Sequence, residues 1–536
     1  MLNLNMRYLL TALVISTVAL AQDKPDLAIV NKIRAEAFEH SQAMETLFYL
    51  TDANGPRVTN STGFKAAADW AVKRLESYGL VNVKQEPWGA FGRSWNFTHY
   101  EGHMIEPQYS PLIGFPMAWS SGTDGPVRAD AILAVLSTPA DLQKYKGQLR
   151  GKMVLMMAPK ELEMSMTPLG HRLTDEELAQ RARTEDPSRF SFGPGGPAVA
   201  GGRGGRGNAA PPDPGAQRRF REQLMQFLID EKPAVVVQYN ATQDGGTVFG
   251  TSFGSYKAGD PVPPPAVVIT SEHYNRIARL LDHKIPVTLE FDIRAKIGDR
   301  EEPSFNIVGE IPGGRKKDEI VMIGGHFDSW HGGTGATDNG TGSSAAMEAM
   351  RILKSLNVQM DRTVRIALWS GEEEGLLGSI AYVKNHFADR AEMKLKPEYA
   401  KLDAYFNDDS GTGKFRGINI GGNDMVEPIF EAWLAPFHDL GATVVAGASA
   451  VADRAPGGTD HTSFTYVGLP GFGFLQDPME YGTRTHHSNM DLYDRVQKGD
   501  LMQAAAIEAA FAYHTAMRAE MLPRLSTPKP RAWEQR

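Results

Sequence analysis

Four apolar segments in the C-terminal half of the chain each lead into side chains that can bind a metal ion or move a proton. The segments and the polar residues that follow them are 319–325 with His326 and Asp328, 364–369 with Glu372, Glu373 and Glu374, 402–407 with Asp408 and Asp409, and 471–476 with His486, His487 and Asp491. Parallel strands end at one edge of an open α/β sheet, and such sheets place their sites at that edge. We therefore expect these imidazoles and carboxylates to converge on one centre.

A further acid, Asp338, lies in a glycine-rich stretch between the first two of these segments. The glycines on both sides of Asp338 let the backbone turn tightly and approach a ligand closely. A helical pattern begins near Gly342, so Asp338 stands just before a helix. Asp338 therefore adds one more carboxylate to the candidate ligands.

Each motif has a simpler interpretation when it is considered alone. A His-x-Asp pair is often structural, and the two histidines before Ser488 could form a capped surface turn. The acids at 372–374 could form the first turn of a helix, where the helix dipole favours negative charge. At the end of a buried strand, however, adjacent acids repel one another unless cations compensate. A shared metal site explains the whole succession better than separate coincidences do.

Composition limits both the ligand chemistry and the class of partner. The 536-residue chain has no cysteine, which excludes disulfides, thiolate metal sites and a cysteine nucleophile. Any metal must be held by His, Asp and Glu, and the residues above supply enough nitrogen and oxygen ligands for two adjacent zinc ions. Lys and Arg number 56 against 64 Asp and Glu, and this net charge of −8 gives no basic surface for nucleic acid.

The N-terminus is typical of a secretory signal peptide. Arg7 gives a positive start, residues 9–20 form an apolar core, and Ala19-Leu20-Ala21 matches the small-x-small cleavage pattern. The apolar run is too short to span a membrane, although an uncleaved N-terminal anchor is an alternative. We predict a signal peptide at 1–21 and a protein that is secreted or periplasmic in a bacterium, with no stable membrane span after cleavage.

The elements that must position the site fall into a catalytic domain and an insertion. Short β-like runs between Pro and Gly clusters indicate an inserted β-rich domain, with a Gly/Pro-rich segment at 193–215 that we expect to be flexible. Apolar strands then alternate with helical patterns, which predicts an α/β fold with a mostly parallel twisted sheet flanked by helices. After the signal peptide, the predicted parts are the N-terminal part of the catalytic domain (22–110), the inserted domain (111–295), the C-terminal part with the metal site (296–525) and a tail (526–536).

These residues and their order resemble peptidase family M28, which contains zinc aminopeptidases and carboxypeptidases. The matching motifs are G-H-F-D-S-W, G-A-T-D-N-G-T-G, W-S-G-E-E-E-G-L-L-G-S, N-D-D-S-G and H-H-S-N-M-D, in the family's order. Residues 54–57 and 66–70 look like the family's N-terminal stretch, and 151–155 looks like a strand of its inserted protease-associated domain. The resemblance covers nearly the whole mature chain and implies the zinc exopeptidase fold.

The resemblance also implies a role for each residue of the site. By position in the motifs, the implied roles are one zinc ion held by His326 and Asp409, a second held by Glu373 and His487, and a bridge between them formed by Asp338. Glu372 matches the general base, which takes a proton from water. Asp328 and Asp491 match positions that orient ligand side chains, a function that metal sites usually require. No role is implied for Glu374.

The implied activity is hydrolysis of peptide substrates at a chain end, with two zinc ions per chain. Aminopeptidase or dipeptidase activity is favoured. Carboxypeptidase activity is an alternative, because Asp408, Glu480 and Arg484 lie near the ligands and could bind either an ammonium or a carboxylate group. Two further alternatives keep the fold: a one-zinc enzyme that cyclises N-terminal glutamine, and a non-catalytic binding protein, which should lack some ligands. The sequence leaves the oligomeric state open.

Overall fold

The structure, a computed structural model, describes residues 23–182, 214–240, 245–447 and 458–531. The predicted signal peptide at 1–21 lies outside the described residues, and so does 193–213 of the Gly/Pro-rich segment. The last residues of that segment, Pro214 and Gly215, belong to the helix Pro214–Glu231.

One sheet of eight strands forms the centre of the larger unit, and we call it the first sheet. Its strands, in order across the sheet, are Val81–Gly92, Glu302–Ile311, Arg362–Trp369, Lys316–His326, Leu402–Asn407, Gly471–Gln476, Phe415–Asn419 and Val444–Ala446. The third to sixth strands in this order are parallel to one another. The structure thus confirms the predicted α/β fold class.

The register of the parallel strands brings their carboxyl ends to the same edge of the first sheet. His326 pairs with Trp369, and Gly324 pairs with Asn407. Asn407 in turn pairs with Gly473 on the next strand. All four segments that the sequence singled out therefore end close together, as open α/β sheets require of a site built from strand ends.

Helices cover both faces of the first sheet. They are Leu27–Glu39, Ala43–Leu50, Thr62–Ser77, Thr341–Ser355, Leu377–His386, Glu427–Leu434, His461–Thr465 and Lys498–Met517. Thr341–Ser355 and Lys498–Met517 are buried along almost their whole length, which suits sequences without a continuous polar face. In the described part of the chain, no helix has both the length and the apolar character needed to cross a membrane.

A second sheet of eight strands forms a separate core, and we call it the second sheet. Its strands, in order, are Ser110–Pro111, Trp95–Glu106, Thr288–Ile297, Val127–Leu133, Met153–Leu155, Val235–Gln238, Ala266–Ile269 and Gly114–Pro116, and its flanking helices are Pro139–Tyr145, Pro214–Glu231 and Ser271–Asp282. The helix Asp175–Ala182 packs instead against Val444–Ala446 of the first sheet. Trp95–Glu106 lies before residue 111 but pairs with Thr288–Ile297. We therefore propose that the inserted unit begins between Gly92 and Trp95, earlier than the sequence suggested.

His386, at the end of the helix Leu377–His386, forms one ion pair with the edge strand Val81–Gly92 and one with the 3-10 helix Pro397–Ala400. Its Nε2 lies 2.6 Å from Glu86 Oε1, and its Nδ1 lies 3.1 Å from Glu398 Oε2. Burial by itself lowers the pKa of His386, but the hydrogen bond and charge of Glu86, followed by Glu398, raise it above its usual value. The protonated imidazole is therefore more stable in the folded chain than in the unfolded one.

We expect His386→Gln to destabilise the protein more in acid than in alkali. The contribution of a raised pKa is complete below the unfolded value of about 6.5 and disappears as the pH rises through the folded value. Urea unfolding of both proteins near pH 5.5 and near pH 9 should give a loss of roughly 1 kcal/mol at the lower pH and less at the higher. An equal loss at both pH values would contradict this assignment.

Candidate metal centre

Asp338 lies between two histidines that come from opposite ends of the C-terminal half. Its Oδ1 is 3.2 Å from His326 Nε2, at the end of the strand Lys316–His326. Its Oδ2 is 3.2 Å from His487 Nε2, on the loop that follows Tyr481–Thr485. The two oxygens of one carboxylate thus face different imidazoles, as a bridging ligand must.

Each histidine is also paired with a second acid. Asp409 Oδ1 lies 3.3 Å from His326 Nε2, and Glu373 Oε2 lies 2.9 Å from His487 Nε2. All five side chains are nearly buried except His487, which is 23% exposed. The structure therefore brings the five predicted ligands together around Asp338. Of the residues described, the sets whose donor atoms all lie within 4.8 Å of one another are His326, Asp338 and Glu373, and Asp338, His486 and His487.

The acidic run 372–374 forms a turn before the helix Leu377–His386 and does not belong to its first turn. Asp328, which is fully buried, accepts backbone hydrogen bonds from Glu372 and Glu373, both at 3.3 Å. The Glu374 side chain points to another partner, the hydroxyl of Thr59, at 2.9 Å. The alternative explanation of this motif as a charged helix start is thus not what the fold contains.

The second acid predicted to orient ligands, Asp491, acts beside Asp338. Its Oδ1 accepts a hydrogen bond of 2.5 Å from the backbone nitrogen of Thr337. Burial, followed by the charge of Asp338, raises the pKa of Asp491 to about 7. Asp328 therefore holds the backbone of Glu372 and Glu373, and Asp491 holds the backbone of Thr337, the residue before Asp338.

Arg57 is a residue whose role the sequence did not reveal. It is fully buried and donates hydrogen bonds to the carbonyl oxygens of Phe327 at 2.7 Å, Thr334 at 3.0 Å and Gly335 at 2.9 Å. Burial lowers the pKa of Arg57 to about 10, although Asp491 and other nearby acids act in the opposite direction. Arg57 thus fixes both ends of the loop between His326 and Asp338.

Charges of the same sign are concentrated in this small volume. Burial and then the charges of Asp409, Asp460 and Glu373 raise the pKa of Glu372 well above its usual value, although His326 opposes them. Burial also raises the pKa of Glu373 to about 7. Such strongly shifted groups in one cluster are typical of a functional site.

The donor set fits a pair of divalent cations. Asp338 Oδ2 and Glu373 Oε1 are buried, and neither receives a hydrogen bond from the residues that the structure describes. Buried carboxylates are normally paired, hydrogen-bonded or bound to a metal. Imidazole nitrogens with carboxylate oxygens, and no thiolate, are ligands that zinc accepts in catalytic sites.

His486 and Tyr481 line the same centre; the sequence placed His486 among the converging side chains without giving it a role, and it did not single out Tyr481. His486 Nε2 lies 3.7 Å from Asp338 Oδ2, and its ring stacks on His487 with centroids 3.7 Å apart. The Tyr481 ring also packs against His486, with centroids 4.7 Å apart. Burial lowers the pKa of His486 to about 4, so this imidazole is neutral near pH 7. Its adjacency to His487 in the sequence is the signal that could have identified it.

The candidate groups for a peptide terminus differ in accessibility. Asp408 is 1% exposed, and neither of its carboxyl oxygens has a hydrogen-bond partner in the described ranges. Glu480 is 3.0 Å from Arg495 and 3.8 Å from Arg484, which is itself 22% exposed. Asp408 is therefore too deeply buried to meet a substrate, whereas the Glu480 cluster reaches the surface with an excess of positive charge.

Comparison with known proteins relates this arrangement to peptidases. Residues 306–512 match the family model described as peptidase family M28. Carboxypeptidase Q from Homo sapiens is 26% identical over 500 residues, which cover 93% of this chain and 89% of that protein.

Solved structures resemble the chain over most of its length. The peptidase M28 precursor from Shewanella amazonensis has a TM-score of 0.64 at 24% identity, with coverage of 94% of this chain and 98% of that one. BSAP, a zinc aminopeptidase from Bacillus subtilis, has a TM-score of 0.52 at 20% identity, with coverage of 89% and 95%. At these identities the likeness concerns the fold, and it extends across both sheets.

Proposed function

We propose that this chain, whose residues 306–512 match the model of peptidase family M28, is a zinc-dependent exopeptidase with two metal ions per chain. The observation that supports the proposal most directly is the position of Asp338, whose oxygens each lie 3.2 Å from a different histidine. In this proposal, His326 and Asp409 hold one zinc ion, and Glu373 and His487 hold the other.

The residues of the chain divide the chemical work between them. A bound zinc pair supplies Lewis acidity, which makes water more acidic and polarises the scissile carbonyl group. Glu372 accepts a proton from the attacking water and delivers it to the leaving amine. Burial, followed by the charges of Asp409, Asp460 and Glu373, raises the pKa of Glu372, and a more basic carboxylate accepts a proton from water more readily. Asp328 keeps Glu372 and Glu373 in place through their backbone nitrogens.

Two candidates remain for the end of the peptide that is recognised. Aminopeptidase or dipeptidase activity is the one that the sequence favours. Carboxypeptidase activity gains support from the likeness to carboxypeptidase Q along 93% of the chain. It also gains support from Arg484, three positions before His487. Arg484 and Arg495 share one acid, Glu480, so positive charge is left over that can bind an α-carboxylate.

Metal analysis of the purified protein tests the proposed centre. We expect two zinc ions per chain, with loss of peptide hydrolysis on chelation and recovery when zinc is returned, because metal sites of this kind supply the Lewis acid. One ion at full activity would favour the glutamine-cyclising enzyme. A protein that holds no metal and has no activity would favour the binding protein.

The same preparation distinguishes the two terminal specificities. Amino-acid anilides report aminopeptidase activity, N-blocked dipeptides report carboxypeptidase activity, and free dipeptides report dipeptidase activity. Cleavage of the anilides or of free dipeptides alone would support the first candidate, and cleavage of the N-blocked peptides would support the second. Cleavage only inside long, blocked peptides would contradict exopeptidase activity altogether.

A further inference from the structure

The loop that carries His487 is hydrogen-bonded to a segment of the inserted unit. The Gly250 nitrogen donates to the His487 carbonyl oxygen at 3.0 Å, and the Asn489 nitrogen donates to the Val248 carbonyl oxygen at 3.0 Å. The Asn489 side chain adds two more bonds: its Oδ1 accepts from the Val248 nitrogen at 2.7 Å, and its Nδ2 donates to the Gly246 carbonyl oxygen at 3.2 Å. Asn489 therefore takes part in three of the four bonds.

This segment is anchored in the core of the second sheet. Val248 is fully buried and belongs to the same hydrophobic cluster as Val236 and Val268 on the strands of that sheet. Phe249 is 8% exposed and forms an isolated bridge with Ser488. The position of the His487 backbone is thus tied to a segment that is anchored in the hydrophobic core of the inserted unit.

The inserted unit also holds the chain just before the histidine loop. His171 and Met479 exchange two backbone hydrogen bonds, of 3.0 and 2.8 Å. Arg172 forms ion pairs with Asp477 at 2.9 Å and with Asp500 at 2.8 Å. The stretch from 477 to 489 is therefore held from two sides by residues of the inserted unit.

His487 needs such support more than His326 does. The Nδ1 of His326 lies 3.0 Å from the Asp328 carbonyl oxygen, the usual way in which a metal-binding imidazole is oriented. In the portion of the chain that is described, the Nδ1 of His487 has no hydrogen-bond partner. His487 also has a φ of 62°, a left-handed conformation that is unfavourable for a residue other than glycine.

We propose that Asn489 is a positioning residue, and that together with 246–250 it forms a clamp that sets the place of His487 in the metal centre. The clamp orients His487 through its backbone, whereas a hydrogen bond to the imidazole ring orients His326. The inserted unit is then a working part of the metal centre and not an independent appendage. This inference rests on the proposed zinc site, but the clamp itself can be tested without metal.

Asn489→Ala removes the two side-chain bonds of the clamp and leaves the ligands unchanged. Loss of a group that supports a metal ligand typically weakens metal binding by about 10- to 100-fold. We expect a loss of this size for one of the two zinc ions, measured by competition with a chromophoric chelator. Asn423→Ala is the matched control, because the Asn423 side chain likewise donates to a backbone carbonyl oxygen, that of Pro523 at 2.7 Å, away from the ligands.

Hydrogen exchange of the metal-free proteins gives an independent measurement. If the clamp exists, amides of the peptide around 484–491 should exchange about 10-fold faster in Asn489→Ala than in the wild-type protein, because local opening costs less free energy. Asn423→Ala should leave this peptide unchanged. If Asn489→Ala exchanges at the wild-type rate, the clamp does not exist. If it exchanges faster but keeps the wild-type zinc affinity, the clamp has no role at the metal. If the wild-type protein does not bind zinc, the proposed function is wrong. The clamp would then be tested by hydrogen exchange alone.

Discussion

Glu372→Gln should lower peptide hydrolysis by about 10²- to 10⁴-fold, the usual worth of general acid–base assistance, while both zinc ions stay bound. Glutamine has nearly the same size as glutamate but cannot accept and return a proton. The backbone nitrogen of Glu372 would still donate to Asp328, so the turn should keep its shape. A large fall in kcat with an unchanged metal content is therefore the expected result.

Glu373→Gln is the matched variant, because the same chemical change is made one residue later. Glu373 Oε2 lies 2.9 Å from His487 Nε2, within the group that we propose to hold the second ion. Loss of its negative charge should weaken zinc binding, so activity should recover in part when excess zinc is supplied. Zinc should not restore Glu372→Gln, since that variant has lost a proton acceptor and not a ligand.

Metal analysis and kinetics at several zinc concentrations separate the possible outcomes. If the two variants exchange these behaviours, the base and the ligand are assigned the wrong way round. If both variants keep wild-type rates and metal content, the acidic turn has no part in the reaction and the proposed site is wrong. Circular dichroism of both metal-free proteins checks that the fold is retained.

The residues that could be recognised from the sequence are those that follow strands directly. The positions of His326, Glu373 and Asp409 depend on strand ends, and parallel strands in register bring such ends together. The α/β fold class follows from the same alternation of strands and helices. These features are local in the chain, and a single sequence therefore contains enough information to predict them.

Other parts of the site depend on contacts between distant segments. Arg57 reaches Phe327 and Gly335 across 270 and 278 positions of the chain, and nothing near Arg57 in the sequence reports those partners. The bonds between Asn489 and Val248 likewise form only after both sheets are in place. The pairing of Trp95 with Ile297 could not be predicted for a similar reason, because the two residues lie about two hundred positions apart in the chain.

Asp338→Asn should have the largest effect on the metal centre, because one carboxylate serves both groups of ligands. An amide offers a single neutral oxygen, so one of the two contacts at 3.2 Å loses its oxygen and both lose the negative charge. We expect zinc affinity to fall by more than about 100-fold, the upper range for residues that only support a ligand. Hydrolysis should fall with it, and excess zinc should restore little.

Asp408→Asn makes the same change at an acid that lies next to a proposed ligand but outside both groups. Asp408 is 1% exposed and its carboxyl oxygens have no hydrogen-bond partner among the described residues, so an amide should replace it with little loss. Zinc titration and peptide hydrolysis within a few-fold of the wild-type values are expected, as for a site that does not bind the metal. If Asp408→Asn lost zinc as strongly as Asp338→Asn, negative charge in general, and not a bridging carboxylate, would hold the ions. If Asp338→Asn kept both ions, the two histidines would have to be held together by another residue, and the proposed centre would be wrong.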